Sequence, residues 1–144
     1  MVFEERITIR AVGKPSKQNF DALVVWFCQS LDLSGSRDSS EKEILKEIIG
    51  NSVSGKGTTS KELNYRLETP RTTVIYHLNR FINSGIVVRK GRKYYLRSSD
   101  MVGTLQELQA DMEHEFQRLA RVAAEMDQIL ENDFHGRRRS RRKQ

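Results

Sequence analysis

"ETPRTTVIYHLNRFINSG", Glu68 to Gly85, decides how the chain is read. Thr69 is a favoured helix N-cap type, and Pro70 suits the first helical position because its missing N–H would be unpaired there anyway. Gly85 can take the left-handed conformation that stops a helix. At ~100° per residue, Val74, Leu78 and Phe81 share one side, with Ile75 and Ile82 at its margin. Thr73, Tyr76 and Arg80 gather on the opposite side, flanked by Thr72, Asn79 and Asn83. A solvated helix usually shows Glu and Lys on its outer face. Here the outer face carries hydroxyls, amides, an aromatic ring and a guanidinium, and no acid occurs between Pro70 and Asp100. Such groups can hydrogen-bond phosphates and base edges, and nothing nearby repels a polyanion.

The residues on either side give this helix its context. Upstream, Thr59-Ser60-Lys61-Glu62 fits the capping box that opens a short helix, "SKELNYRL", with Leu63 and Leu67 pointing one way. Two helices joined by so few residues cannot lie antiparallel, so they cross steeply as a helix-turn-helix. Before them, "EKEILKEIIG" places Ile44, Leu45, Ile48 and Ile49 on one face, with Gly50 as the expected terminator. After Gly85 the period changes. "IVVR" and "KYYLR" are β-branched and aromatic, "KGR" lies between them, and a hairpin turning at Gly91 is expected. One tyrosine of the Tyr94–Tyr95 pair should face the core and the other solvent. Arg89, Lys90, Arg92, Lys93 and Arg97 make the hairpin basic. Three helices followed by a basic hairpin describe a winged helix-turn-helix, mainly α with a small β-hairpin.

"TTVIYHLNRFINSGIVVRKGRKYYL" resembles the recognition helix and wing of ArsR-type winged-helix transcription regulators. The pattern is carried by Val74, His77, Leu78, Phe81, Gly85, Ile86 and Val87, and the resemblance covers about residues 41–97. It implies a dimeric DNA-binding regulator, often a repressor, and a phosphate contact for His77. Metal-sensing members carry a paired-cysteine box before the recognition helix. This chain has none, so metal sensing by that route is not expected. The long extensions at both ends look more like the archaeal single-domain regulators of the same superfamily.

"GNSVSGKGTT", Gly50 to Thr59, raises a competing possibility. It is one residue from a phosphate-binding loop, with Gly57 where Ser or Thr would hold magnesium. Such a loop follows a strand and opens a helix, whereas this stretch follows a helix. A connector able to hold one short strand is the expectation.

Composition sets the outer bounds. The 144 residues are 37% hydrophobic and 31% charged, enough for one modest core with a well-solvated surface. The net charge of +6 is unevenly spread: residues 56–99 carry 10 basic and 2 acidic side chains, and residues 100–136 carry 2 basic and 9 acidic. That asymmetry points to a polyanion-binding module joined to a segment with another task. The single cysteine, Cys28, cannot form an internal disulfide and reads as a buried small hydrophobe. The longest apolar run, Ala22–Cys28, is far short of a membrane span, and "MVFEER" lacks the pattern of a signal peptide, so a soluble cytoplasmic protein is expected. His114 and His135 have no metal-ligand spacing with each other or with Cys28. No metal site, cofactor or small-molecule effector is expected.

The two ends complete the reading. "ITIRAV", Ile7 to Val12, alternates as a strand does. From Lys17 to Leu31 the apolar residues recur at helical spacing, and Val25, Trp26 and Cys28 make that helix apolar nearly all round, so it is buried or lies in an interface. "SGSRDSS" is a turn-rich linker ending at a cap, Ser39 or Ser40. In the acidic segment Leu105, Leu108, Met112, Glu115, Leu119, Val122, Met126 and Ile129 alternate spacings of three and four, with Phe116 adjoining. That is a heptad stripe with one polar place, the mark of a dimerisation helix; the bland alternative is a long helix packed on its own domain.

The chain thus divides into an N-terminal strand and apolar helix (residues 1–38), a winged helix-turn-helix (39–99), a coiled-coil-like dimerisation helix (100–134) and a disordered basic tail (135–144). The expected function is sequence-specific binding of double-stranded DNA by a homodimeric transcription regulator without catalytic activity. The helix at 70–83 would enter the major groove and the wing at 86–97 would grip the flanking backbone. The DNA-contact candidates are Lys61, Arg71, Thr72, Thr73, Tyr76, His77, Arg80, Arg89, Lys90, Arg92 and Lys93. The rival from another class is a winged helix serving as a protein-interaction module of the transcription machinery, with incidental DNA contact. An RNA-binding adaptor is a third reading, disfavoured by the lack of clustered aromatics outside the wing.

Overall fold

The computed structural model describes residues 7–15, 18–34 and 40–142, with side chains described as far as residue 136. The elements run α1 (Phe20–Ser30), α2 (Ser40–Val53), β1 (Thr58–Thr59), α3 (Ser60–Arg66), α4 (Arg71–Asn83), β2 (Val87–Lys90), β3 (Lys93–Leu96) and α5 (Met101–Arg142). They form two compact units, Met1–Leu108 and Gln109–Gln144, and α5 belongs to both. Helices followed by a small antiparallel sheet and a long C-terminal helix give the topology of a winged helix-turn-helix.

The core of the first unit follows from the apolar stripes. Ile44, Leu45 and Ile48 of α2 and Val74 and Leu78 of α4 are wholly buried, and Phe81 and Leu63 nearly so. Val24 and Cys28 of α1 close one side, and Ile86, Val87, Tyr94 and Leu96 of the sheet close another. Tyr94 is the inward member of the tyrosine pair, while Tyr95 is half-buried. Burial pushes the Cys28 thiol up to about 12, with the Glu41 carboxylate adding to the shift. At neutral pH it is an inert apolar group.

Several boundaries depart from the sequence expectation. Ile7–Val12 forms no strand; its backbone is tied to a helix end instead, Arg10 N–H donating to the Ser30 carbonyl at 2.7 Å. The indole Nε1–H of Trp26 donates to the Gly13 carbonyl at 2.6 Å, holding the same segment along α1. α1 starts at Phe20 behind Asn19, whose side chain accepts from Ala22 N–H. The expected cap Ser39 lies outside the described residues, and Ser40 is the first residue of α2.

α2 does not stop at Gly50. It continues to Val53 and ends at Gly55, whose φ of +80° puts it in the left-handed region. Lys56 N–H donates to Asn51 C=O at 2.8 Å and Gly55 N–H to Ser52 C=O at 2.9 Å, the double closure of a Schellman end. The phosphate-loop resemblance therefore falls on a helix C-terminus, where the carbonyl ends give the wrong polarity for a phosphate. The connector does hold a short strand, and β1 pairs antiparallel with β3, Thr58 opposite Tyr94 and Thr59 opposite Lys93. The sheet order is β1-β3-β2.

At the other end, Asp100 caps α5, its carboxylate accepting from Gly103 N–H at 2.7 Å. The backbone stays helical to Arg142, where a disordered tail from 135 was expected. Arginine is a good helix former, and cations near a helix C-terminus are favoured by its dipole. Lys143 and Gln144 lie outside the described residues.

Candidate nucleic-acid interface

The helix-turn-helix is built by its capping groups. The capping box of α3 is present, with Glu62 N–H donating to Thr59 Oγ1 at 3.1 Å and Thr59 N–H to the Glu62 carboxylate at 3.5 Å. Between α3 and α4, Asn64 Nδ2 donates to the Thr69 carbonyl at 2.6 Å, and Glu68 takes a positive φ of 49°. Thr69 is not the N-cap that its type suggests. Its hydroxyl donates back to the Leu67 carbonyl at 3.1 Å, and Pro70 occupies the cap position without a side-chain hydrogen bond. The turn residue is thus spent on shaping the tight connection. Gly85 has the expected left-handed φ, +86°.

On α4 the outer face splits. Arg71, Thr72, Asn79 and Asn83 are exposed, Tyr76 is 56% exposed, and Thr73 is half-buried. One expected contact, His77, is buried, and another, Arg80, already has partners within the chain. His77 is 1% exposed, because its position on the helix wheel adjoins Val74, Leu78 and Phe81 and packing draws it inward. Arg80 is turned toward the end of α1: its guanidinium donates to the Asp32 carbonyl at 2.8 Å and the Leu33 carbonyl at 3.2 Å. It also lies over the Tyr76 ring at 5.8 Å from the centroid. Asp32 has a positive φ of 56°, and this turn leaves carbonyls that a fork of N–H donors can satisfy.

The wing places its basic groups by cross-strand pairing. Arg89 stands opposite Tyr94 and Lys90 opposite Lys93 in the β2–β3 register. Arg89 Nε–H donates to the Gly91 carbonyl at 2.8 Å while its guanidinium lies 5.6 Å from the Tyr94 ring centroid. That residue shapes the turn. Lys90 Nζ lies 5.4 Å from the Tyr95 ring centroid, and Arg92 and Lys93 are exposed at and beside the tip. Gly91 has φ +65°, as a tight hairpin turn requires. Because β1 runs straight into α3 and pairs with β3, the start of α3, with exposed Lys61, is tied to the wing.

Charge on this part of the chain is one-sided. Of its basic groups, Arg66 pairs with Glu47 at 3.1 Å and Arg97 with Glu107 at 3.3 Å. Lys56, Lys61, Arg71, Lys90, Arg92 and Lys93 are exposed. Tyr65 on α3 is 84% exposed and was not among the expected contacts. The signal was available, since with Leu63 and Leu67 directed inward, the residue between them must point out. Its ring is placed to stack or to hydrogen-bond through its hydroxyl.

On α5, Leu108 is corrected as a dimerisation residue: it is 2% exposed and belongs to the core of the first unit. Leu105 is 48% exposed and Met112 half-buried. Phe116, Leu119, Val122, Met126 and Ile129 are exposed, joined by Leu130 and Phe134. Among the described residues no cluster of His, Cys, Asp and Glu is grouped to hold a metal ion, and no helix is long and apolar enough to cross a membrane. Compared with protein-family models, curated proteins and solved structures, the chain matches none.

Proposed function

We propose that the chain is a sequence-specific DNA-binding transcription regulator of the ArsR-like winged-helix type, acting as a homodimer. The observation that carries this reading is the outer face of α4: Arg71, Thr72 and Tyr76 are exposed on a helix held by a helix-turn-helix, within a stretch of 29 residues that contains no acid, Arg71–Ser99. In this reading α4 lies in a major groove with its N-terminal residues toward base edges, and Lys90, Arg92 and Lys93 reach the flanking backbone. Tyr65 and Lys61 of α3 add contacts at the groove edge. His77 and Arg80 act from behind the face, as core and buttress.

The test is selection of bound duplexes from a random pool, followed by salt titration of the winner against random DNA. A regulator retains the selected duplex by about 10³-fold or more over random sequence at physiological salt. Equal retention of both at every salt level would show a charge-driven binder without sequence preference and overturn the reading.

A further inference from the structure

The exposed apolar side chains of α5 carry more information than the existence of a seam. In residues 109–136, Phe116, Leu119, Val122, Met126, Ile129 and Leu130 are between 54% and 66% exposed. With Met112, Leu119 and Met126 at heptad position a, Glu115, Val122 and Ile129 fall at d, Phe116 and Leu130 at e, and Arg118 and Glu125 at g. Three apolar positions per heptad form a broad face for another helix. Glu115, the one acid on it between Met112 and Leu130, discriminates between the two ways a second copy can lie.

Parallel pairing in register sets each d residue against the same residue of the other copy, so two Glu115 carboxylates would meet inside the seam. Like carboxylates brought together out of water repel. It would also set Arg118 and Glu125 beside apolar e positions, with no charge across the seam. Antiparallel pairing interleaves a with d. Met112 then meets Ile129 of the second copy, Leu119 meets Val122, and Glu115 meets the unbranched, adaptable Met126. In that register Arg118 faces Glu125 of the second copy, and two-fold symmetry makes the pair twice. Arg118 already holds Glu115 on its own helix, at 2.9 Å, which keeps that acid's charge compensated at the seam edge.

We propose that two copies pair through residues 111–130 as an antiparallel coiled coil, with Arg118 of each copy against Glu125 of the other. This deepens the homodimer reading above and rests on it. The seam centre falls between residues 120 and 121, so Leu108 of one copy lies level with Asp133 of the other. At ~1.5 Å per residue the two Leu108 positions, where the winged helices join the seam, stand ~37 Å apart.

The test uses the full chain in a Cys28→Ala background, with Met112→Cys on one preparation and Ile129→Cys on another. Each is oxidised alone and after mixing and exchange. Antiparallel pairing gives a covalent dimer from the mixture and little from either alone. Self-cross-linking of both separate preparations would establish parallel pairing and overturn the proposal, as would absence of cross-linking in all three while sedimentation shows a dimer. A monomer by sedimentation would overturn it together with the homodimer. As an independent arm, Arg118→Glu and Glu125→Arg should each raise the dimer dissociation constant about tenfold or more, and their combination should recover most of the loss. No recovery would overturn the Arg118–Glu125 pairing. Neither arm contains DNA, so a cross-linked dimer without sequence preference would sink the regulator reading alone.

Discussion

At Arg80 two demands compete for one guanidinium. Its place on the outer face of α4 suits a phosphate or a guanine, yet the Asp32 and Leu33 carbonyls already take one donor from each of its two terminal nitrogens. Hydrogen bonds from a charged donor are worth about 1.5–3 kcal/mol, so Arg80→Ala should lower the urea midpoint by a corresponding amount. A variant with unchanged stability and lost operator binding would return Arg80 to the contact face. Arg92 is the opposite case, exposed at the wing tip. Arg92→Ala should leave stability within about 0.5 kcal/mol and reduce the salt slope of DNA binding by about 1 if it contacts a phosphate. Cys28 gives a third residue-scale expectation. A thiol pushed up to about 12 by burial stabilises the fold fully below its unfolded value near 9.0, and that contribution fades as pH rises above it. Alkylation at pH 7 should therefore wait on opening of the core, and rapid labelling of the native protein would contradict the burial.

Among the elements, β1 is the smallest and the most exacting. A Cβ on Gly57 would lie 2.7 Å from both Lys93 Cβ and the Tyr95 ring, and Lys93 Cβ cannot withdraw without moving β3. Gly57→Ala should destabilise by about 1–3 kcal/mol, the usual cost of overpacking, and loosen the wing. Proton exchange on the β1–β3 amides would report it; unchanged protection would mean that β3 shifts freely. The heptad stripe of α5 shows the converse limit of sequence reading. Its spacing ran unbroken through Leu108, but the first two apolar places lie where the helix leaves the winged domain. There Leu108 fills the core and Leu105 stands half-exposed. Periodicity reports which side of a helix is apolar; it does not report what covers that side.

For the whole molecule the consequence is where the chain can be divided. A cut after Ser99 would remove Leu108 and Thr104, both buried, and Thr104 Oγ1 accepts from Ser98 N–H at 3.1 Å. Such a fragment should be less stable for reasons unrelated to dimerisation. A cut after Asp111 keeps those groups and removes the exposed stripe. By sedimentation it should be monomeric at micromolar concentration, and its operator affinity should fall by about 10²-fold or more as two half-sites cease to be held together. A dimer surviving that cut would move the seam to α1, where Phe20 and Leu23 are partly exposed.

By itself the sequence determined what depends on local preference. The capping box at Thr59 and Glu62, the left-handed stops at Gly85 and Gly91, the inward stripe of α4 and the change from helical to strand period all follow from neighbouring residues, and all stand in the structure. Tertiary structure decided matters in which distant groups compete. Ile7–Val12 alternates as a strand does, but its backbone was claimed by the end of α1. Gly50 remained helical because α2 has a Schellman end five residues later. Arg80 found its carbonyls nearly 50 residues away, and His77 was drawn into a core whose extent no helix wheel reports. A helix face is a local property, whereas the partner for each donor on it is set only when the chain has closed around it.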